Sequence, residues 1–303
     1  MNAPLFDARQ VRRAFSRSAS SYAAAAQLQH QVEARLLESL DYLDDPALKR
    51  ETPQRVLDLG CGTGSAALAM QKRWPKAQVL ALDIALPMLQ QVRRVNTPRW
   101  NLFARTPQAL CADARALPLA DASVDVLFSN LCLQWVDDLD AVFAGFRRVL
   151  KPHGLLLVST FGPDTLWELR DAFAQADSAP HVSPFGNIAS FGDALVRAGF
   201  HQPVIDRELD ITHYRDLPEL MRELRAIGAT NALHSRRHTL TGRARFSAAA
   251  QAYDSMRNDG GLLPASWETI SAMAWAPEAG TPIREGGIDV ARVPLSRIPI
   301  RRR

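Results

Sequence analysis

The residues best suited to chemistry are the glycine-rich segment Asp58-Leu59-Gly60-Cys61-Gly62-Thr63-Gly64 and the two acids that follow it, Asp83 and Asp113. Glycines let a backbone turn sharply and approach a ligand closely, because they carry no Cβ. A carboxylate at Asp83, nineteen residues after Gly64, can accept hydrogen bonds from both hydroxyls of a ribose. Asp113 can accept one from an adenine amino group. Together these residues predict a nucleoside-binding site.

Two common cofactors contain adenosine, NAD and S-adenosylmethionine, and the glycine segment distinguishes between them. A dinucleotide-binding loop has the pattern Gly-x-Gly-x-x-Gly, with a helix N-terminus facing the pyrophosphate. Here the pattern is Gly-x-Gly-x-Gly, and Asp58 precedes it. Because a carboxylate attracts a cation and repels a pyrophosphate, the segment favours S-adenosylmethionine, which carries a sulfonium and an ammonium.

Alternating strands and helices must position these residues. Short apolar runs predict buried strands, whereas the segments between them have helical periodicity. This alternation predicts a parallel sheet covered by helices on both faces. The five predicted strands are 55–59, 78–82, 109–112, 124–128 and 155–160. A sharp turn is expected at 151–154, a helix at 164–176, and two further strands at 206–213 and 267–275.

Composition indicates a globular protein. The chain has 303 residues, 47% hydrophobic and 22% charged, enough for one core domain with a sizeable elaboration. No apolar run approaches the roughly 20 residues of a membrane span, and the first ten residues lack the apolar core of a signal peptide. Cys61, Cys111 and Cys132 have spacings that match neither a disulfide framework nor a metal site. We therefore expect a cytoplasmic protein with neither a membrane segment nor a metal.

The net charge is +4, and only four of the 36 basic residues are lysine. Codon bias accounts for the preference for arginine, and a surface for an anionic partner is the alternative. Residues 222–257 contain seven arginines and two acids, and Arg12, Arg13 and Arg17 form a second cluster. Helical spacing places Arg13 and Arg17 on one face.

The chain resembles class I S-adenosylmethionine-dependent methyltransferases. The glycine-rich segment matches the first motif of that family, and Asp83 matches its ribose-binding acid. Leu117 to Leu127 resembles the fourth-strand region, and Leu150 to Leu155 resembles the turn into strand five. The resemblance implies a Rossmann-like α/β fold with a seven-stranded, mostly parallel sheet whose last strand is antiparallel.

A closer similarity is to the biotin-pathway malonyl-[acyl-carrier protein] O-methyltransferases. It rests on Val11 to Tyr22, Leu28-Gln29, Ser129 to Leu131, Gln134-Trp135 and Ile227 to Asn231. Such an enzyme methylates the free carboxylate of a malonyl thioester, and the ester primes pimeloyl synthesis. A carboxylate is ionised at neutral pH, so the reaction needs no general base.

Two alternatives compete with this reading. Phe161 to Leu166 and His181 to Phe185 resemble mitochondrial complex I assembly proteins of methyltransferase fold. An assembly factor or hydroxylase that acts on a protein partner is therefore the first alternative. The pattern Ala-Phe-x-x-x-Ala-x-x-Tyr, which ends at Tyr22, favours the biotin-pathway enzyme instead. A nucleic-acid methyltransferase would suit the basic charge. Against it, Ser129 to Leu131 is not followed by the Pro-Pro-aromatic element of amino-methylating enzymes, and no RNA-binding module is evident.

The resemblance implies roles for particular residues. Tyr22, Gln134 and Trp135 would position the substrate. Arg13, Arg17, Arg236 and Arg237 would bind the substrate or an acidic, malonyl-loaded acyl-carrier protein, with malonyl-CoA as another carrier. S-adenosylmethionine would be bound by Asp58, Gly60, Cys61, Gly62, Asp83, Ile84, Met88, Asp113, Ala114 and Asn130.

The predicted organisation has five parts. They are an N-terminal helical lid at 1–50, the cofactor-binding core at 51–213, a helical insertion that caps the substrate at 214–266, the last core strand at 267–275, and a basic, loosely ordered tail at 276–303.

Overall fold

A computed structural model describes residues 4–44, 51–95, 105–239, 241–278, 280–281, 283–285 and 288–290. The helices in this part of the chain are α1 Ala8–Ser18, α2 Tyr22–Ala25, α3 Gln27–Glu38, α4 Ser65–Arg73, α5 Leu86–Val95, α6 Leu139–Val149, α7 Trp167–Ala176, α8 Ile188–Arg197, α9 Leu217–Ala226 and α10 Arg243–Asp254. The strands are β1 Arg55–Leu59, β2 Gln78–Asp83, β3 Gln108–Cys111, β4 Val124–Ser129, β5 Leu150–Phe161, β6 His201–Tyr214, β7 Leu263–Trp275, β8 Ile283–Glu285 and β9 Ile288–Val290.

Seven strands form one sheet in the order β3-β2-β1-β4-β5-β7-β6. The pairs among β1 to β5 are parallel, and β7 is antiparallel to both β5 and β6. The predicted α/β fold and its antiparallel last strand are therefore confirmed. The strand order reverses at β1 and β4, and ligands of open α/β sheets bind where the order reverses, at the carboxyl ends of the strands.

Both faces of the central sheet are buried. Leu57 and Leu59 of β1 belong to the core beneath α6 and α8, whereas Val56, which directly precedes Leu57, belongs to the core beneath α3 and α4. Adjacent side chains of a strand point to opposite faces. This is why the central strands read as continuous apolar runs in the sequence.

Some predicted boundaries of strands and helices are wrong. The turn predicted at 151–154 is a bulge within β5, where the register against β4 shifts and His153 has φ +60°. Strand β6 begins at His201, five residues before the predicted start, and β7 begins at Leu263. Helix α7 begins at Trp167 rather than 164, because the Asp164 N–H donates to Glu268 at 2.7 Å and the preceding segment is held against β7.

The N-terminal segment and the insertion form a joint cover over the carboxyl ends of the strands. We call residues 4–26 the lid and residues 215–262, between β6 and β7, the cap. Phe6 bridges to Leu233, and the Asp7 N–H donates to Ala232 O at 2.8 Å. A second junction joins α2 to α9, where the Ser21 hydroxyl donates to Ala226 O at 2.7 Å.

The predicted tail at 276–303 is only partly described. Strands β8 and β9 pair as an antiparallel ribbon, and residues 291–303 lie outside the described residues. Among the helices of the described ranges, none is both long enough and apolar enough to cross a bilayer.

Gly228 and Gly261 allow a test of the contact between lid and cap. Both have positive φ, +79° and +74°. A Cβ on Gly228 would lie 2.6 Å from the Ser18 hydroxyl oxygen and 3.0 Å from Cδ1 of Phe15, whereas a Cβ on Gly261 would meet nothing within 4 Å.

We predict that Gly228→Ala lowers the free energy of unfolding more than Gly261→Ala does. Both variants force a side chain into the left-handed region, at roughly 1–2 kcal/mol. Only Gly228→Ala adds overlap with the lid, which typically costs a further ~1–3 kcal/mol. Urea denaturation of the two variants measures the difference, and equal losses would show that the lid does not press on Gly228.

Candidate active site

Two cavities lie beneath the lid and share a wall. The strand-end cavity lies over the carboxyl ends of β1, β2 and β4, and the cap cavity, of about 390 Å³, lies between the lid, α7 and the cap. Four residues line both, namely Phe15, Tyr22, Leu131 and Trp135. Ligands bound in the two cavities would therefore meet at this wall.

The glycine-rich segment leaves β1 as a tight loop held against β2. The N–H groups of Gly60 and Cys61 donate to Leu82 O at 2.8 and 3.0 Å. Gly60 has φ +70°, and a Cβ there would lie 2.5 Å from Cys132 Sγ. Only glycine fits this position, so the loop carries its backbone directly to the floor of the strand-end cavity.

Asp83 ends β2 on the wall of the strand-end cavity. Its carboxylate accepts hydrogen bonds from the N–H groups of Gly62 at 3.0 Å and Ala85 at 2.7 Å. Burial raises the pKa of Asp83 to about 6, although these hydrogen bonds oppose the shift. The carboxylate is thus oriented by the loop, as hydroxyl binding requires.

A second acidic group lies behind the loop. Asp58 is 2% exposed, and its Oδ2 has no hydrogen-bond partner among the described residues. Burial and the neighbouring Glu33 raise the pKa of Asp58 well above its usual range. Burial also raises the pKa of Glu33, on α3. No lysine or arginine of the described residues pairs with these acids, although His30 partly offsets the charge of Glu33. The site therefore suits a positively charged ligand, and the sulfonium and ammonium of S-adenosylmethionine fit that requirement.

Most of the residues predicted to bind the cofactor line the strand-end cavity. They are Gly60, Gly62, Asp83, Ile84, Met88, Asp113, Ala114 and Asn130. Asp58 and Cys61 do not line it, so Asp58 would act on a ligand in this cavity through its electric field rather than by contact. Asp113 is paired with Arg115 at 2.6 Å, which lowers the pKa of Asp113.

The Asn130 side chain is occupied by protein partners. Its Nδ2 donates to Gln29 O at 2.9 Å, and its Oδ1 accepts from the Ser159 hydroxyl at 2.8 Å. Asn130 therefore joins α3 to the ends of β4 and β5, while its outer surface lines the cavity.

Tyr22 and Trp135 form the shared wall. The Tyr22 ring would lie 3.5 Å from a Cβ on Gly62, and Trp135 packs edge to face on Phe6 and Phe15. Burial raises the pKa of Tyr22, and the charges of Asp83 and Glu33 raise it further. Tyr22 is therefore a neutral phenol, which can donate a hydrogen bond into either cavity.

Gln134 lies on the cap side of this wall. Its Nε2 donates to Leu131 O at 2.7 Å, and its Oε1 is buried without a partner among the described residues. The free oxygen can accept a hydrogen bond from a ligand in the cap cavity.

The four arginines predicted for substrate or carrier binding fall into two groups. Arg13 and Arg17 are exposed on α1 and form no ion pair within the described ranges. Arg236 and Arg237 instead line the cap cavity, where Arg236 pairs with Asp7 at 3.1 Å and Arg237 with Asp177 at 2.7 Å. Both ion pairs tie the cap to other segments of the chain, and a role of these two arginines in docking the carrier stays a prediction.

Three relevant residues did not emerge from the sequence as site residues. Glu33 lies on α3, far in sequence from the glycine segment, and only the folded chain brings it near Asp58. Arg115 could have been predicted from the sequence, because it lies only two residues after Asp113 and can pair with it. Arg225, which lines the cap cavity, was visible only as one arginine of a basic cluster.

Comparisons with known proteins describe the same architecture. A family model described as "Methyltransferase domain" matches residues 57–158. A Xylella fastidiosa protein named malonyl-[acyl-carrier protein] O-methyltransferase is 59% identical over 299 residues, which cover 99% of this chain and 98% of the relative. A Methylovorus protein of the same name is 46% identical, covering 94% of each chain. A Bacillus halodurans structure has a TM-score of 0.56 at 15% identity, covers 81% of this chain and 98% of its own, and shows the fold alone.

Asp58 and Asp83 should contribute to different parts of cofactor binding. We expect Asp58→Asn to lower the affinity for S-adenosylmethionine by roughly 10- to 100-fold, the usual range for loss of a charged interaction. Its affinity for methylthioadenosine should change by no more than about twofold, because that ligand lacks the sulfonium and the ammonium. Asp83→Asn should weaken both ligands, because both contain the ribose. Calorimetric titration measures these affinities, and equal weakening of both ligands by Asp58→Asn would contradict the assignment.

The raised pKa of Asp83 predicts a pH dependence. The ionised carboxylate accepts the ribose hydroxyls, so binding favours the deprotonated form. Affinity for methylthioadenosine should therefore be constant above a pH of about 6 and fall as the pH drops through that value. Binding titrations between about pH 5 and about pH 8 test this. The slope of the logarithm of affinity against pH should be smaller in Asp83→Asn. An unchanged slope in that variant would assign the titration to another group.

Proposed function

The chain belongs to the malonyl-[acyl-carrier protein] O-methyltransferase family, and on this basis we propose that it transfers the methyl group of S-adenosylmethionine to the free carboxylate of a malonyl thioester on an acyl-carrier protein. The methyl ester would prime pimeloyl synthesis in biotin biosynthesis. The observation that carries the proposal is the shared wall of Tyr22 and Trp135, which separates a nucleoside-type cavity from a second cavity of suitable size for an acyl arm.

The two cavities have the charge that the two reactants require. Asp58 and Glu33 place two acids with raised pKa values behind the loop, and a cationic ligand on the cofactor side would favour their ionised forms. The cap cavity is lined instead by arginines, among them Arg225 and Arg236. A cationic donor and an anionic acceptor are thus each favoured on their own side.

The substrate carboxylate is itself the nucleophile. When bound, S-adenosylmethionine supplies an electrophilic methyl group on sulfur. A carboxylate oxygen forms the new bond to the methyl carbon, and the carbon–sulfur electron pair stays on the sulfur of S-adenosylhomocysteine. No proton moves, so the protein needs to align the groups and exclude water rather than supply a base.

Tyr22 is suited to that alignment. Its raised pKa keeps the phenol protonated, so it acts as a donor to the carboxylate and not as a base. Trp135, fixed by Phe6 and Phe15, excludes water from the reacting atoms. The free Oε1 of Gln134 can accept a hydrogen bond from an amide of the pantetheine arm.

The pantetheine arm is common to acyl-carrier protein and CoA, so malonyl-CoA is proposed as a second substrate. Preference for the carrier protein would come from exposed arginines outside the cavity. Arg13 and Arg17 on α1 are such residues, and an acidic partner would meet them beside the lid.

The reaction is tested directly by incubating the protein with labelled S-adenosylmethionine and malonyl-acyl-carrier protein. Malonyl-CoA and RNA serve as comparators. The label should appear on both malonyl thioesters and not on RNA. Absence of label from every malonyl thioester would refute the function, and a labelled or hydroxylated protein partner would support the assembly-factor alternative.

Tyr22→Phe removes only the hydroxyl that we assign to positioning. We expect kcat/KM for malonyl thioester to fall roughly 10- to 100-fold, as for loss of a hydrogen bond to a charged group. Affinity for S-adenosylhomocysteine should change by less than about threefold, because the ring still packs on Gly62. A variant with unchanged kcat/KM would exclude this role for Tyr22.

A further inference from the structure

The basic side chains that line the cap cavity are His181, Arg225, Arg236 and Arg237. Three of them are paired with protein carboxylates. Asp177 binds His181 at 3.1 Å and Arg237 at 2.7 Å, and Asp7 binds Arg236 at 3.1 Å. Arg225 has no ion pair among the described residues, so it remains available to an anionic ligand.

Arg225 lies close to the reacting wall. It occupies the last turn of α9, and its neighbour Ala226 accepts the 2.7 Å hydrogen bond from Ser21. Ser21 directly precedes Tyr22, so this bond fixes the backbone of Arg225 beside that of Tyr22. Both residues line the cap cavity, so an arginine without an ion pair among the described residues and a neutral phenol border one space.

Thr230 adds an unused donor to the same cavity. Its hydroxyl oxygen is buried and has no hydrogen-bond partner among the described residues. A buried hydroxyl without a partner is unfavourable in the absence of a ligand. A carboxylate in the cavity would satisfy it and would also pair with Arg225.

We propose that Arg225, assisted by the Thr230 hydroxyl, binds the free carboxylate of the acyl substrate and selects the charged acyl group over its neutral ester. This inference rests on the proposed function. One carboxylate oxygen faces the guanidinium, and the other remains free to attack the methyl group. Arg225 is exposed, and an acyl arm lying over it would exclude solvent from the ion pair and strengthen the interaction.

The assignment also explains how product leaves. Methylation removes the negative charge that Arg225 binds, and the ester loses that interaction at once. Substrate and product are otherwise the same in the arm and the thioester, so Arg225 would account for most of the difference in their affinities.

The test compares binding of malonyl-CoA with binding of its neutral methyl ester, in the presence of S-adenosylhomocysteine so that no turnover occurs. Wild-type protein should bind malonyl-CoA about 10-fold or more tightly than the ester. Arg225→Met should lower the affinity for malonyl-CoA by roughly 10- to 100-fold and leave the affinity for the ester unchanged, so that the preference for the acid disappears. Arg225→Lys should keep part of it, since a cation remains.

Arg222→Met is the matched control. Arg222 is exposed on α9 one turn earlier and does not line the cap cavity. Its replacement should leave the preference for malonyl-CoA unchanged. Thr230→Val should reduce the preference by a few-fold without lowering the melting temperature, because the hydroxyl that it removes has no hydrogen-bond partner among the residues described.

A preference retained in Arg225→Met would overturn the proposal. Equal weakening of acid and ester would also overturn it and would show that Arg225 supports the fold or binds the CoA arm. Unchanged affinity for S-adenosylhomocysteine shows that a variant is folded. Because these measurements are of binding, they stay separate from the activity assay, in which failure of wild type to methylate any malonyl thioester would refute the function itself.

Discussion

The pairing of the N-terminal segment with the cap determines whether either cavity exists. Leu5 accepts a hydrogen bond from His234 N–H at 2.9 Å, and Asp7 N–H donates to Ala232 O at 2.8 Å, on either side of Phe6. These two bonds place Phe6 on Trp135. The lid helix follows directly, and with it Phe15 and Tyr22 reach the shared wall. Without this short antiparallel contact, the carboxyl ends of the strands would face solvent, as they do in any uncovered α/β sheet.

Several charged side chains of the described residues form ion pairs, whereas two beside the cavities, Asp58 and Arg225, do not. Asp177 is 2% exposed at its side chain but has Arg237 and His181 as partners, and Arg207 is shared between Asp164 and Glu268. Asp58 and Arg225 differ, because neither has an ion-pair partner in the part of the chain that the structure describes. They lie on opposite sides of the Tyr22–Trp135 wall, where an incoming cation and an incoming anion would supply the missing charge.

The cofactor side of the site was largely predictable from the sequence because its determinants are local. A glycine loop after a buried strand and an acid at the end of the next strand must meet, since parallel strands end on the same edge. The substrate side was not predictable in the same way. Nothing local indicates that Arg236 pairs with Asp7 or that Arg237 pairs with Asp177, so no sequence pattern separates these two arginines from Arg225. The bulge in β5 was missed for a similar reason, because it depends on hydrogen bonds of His153 and Gly154 with Ala276.

The ion pair between Asp7 and Arg236 joins positions 229 residues apart in the chain. Loss of either partner leaves the other as a half-buried charge beside a ligand cavity, which is costlier than loss of both. Mutation at one position is therefore constrained by the residue at the other. Over evolutionary time the first residues of the lid and the turn after Leu233 should drift together, as a correlated pair of sites, although each lies outside the segment matched by the methyltransferase family model.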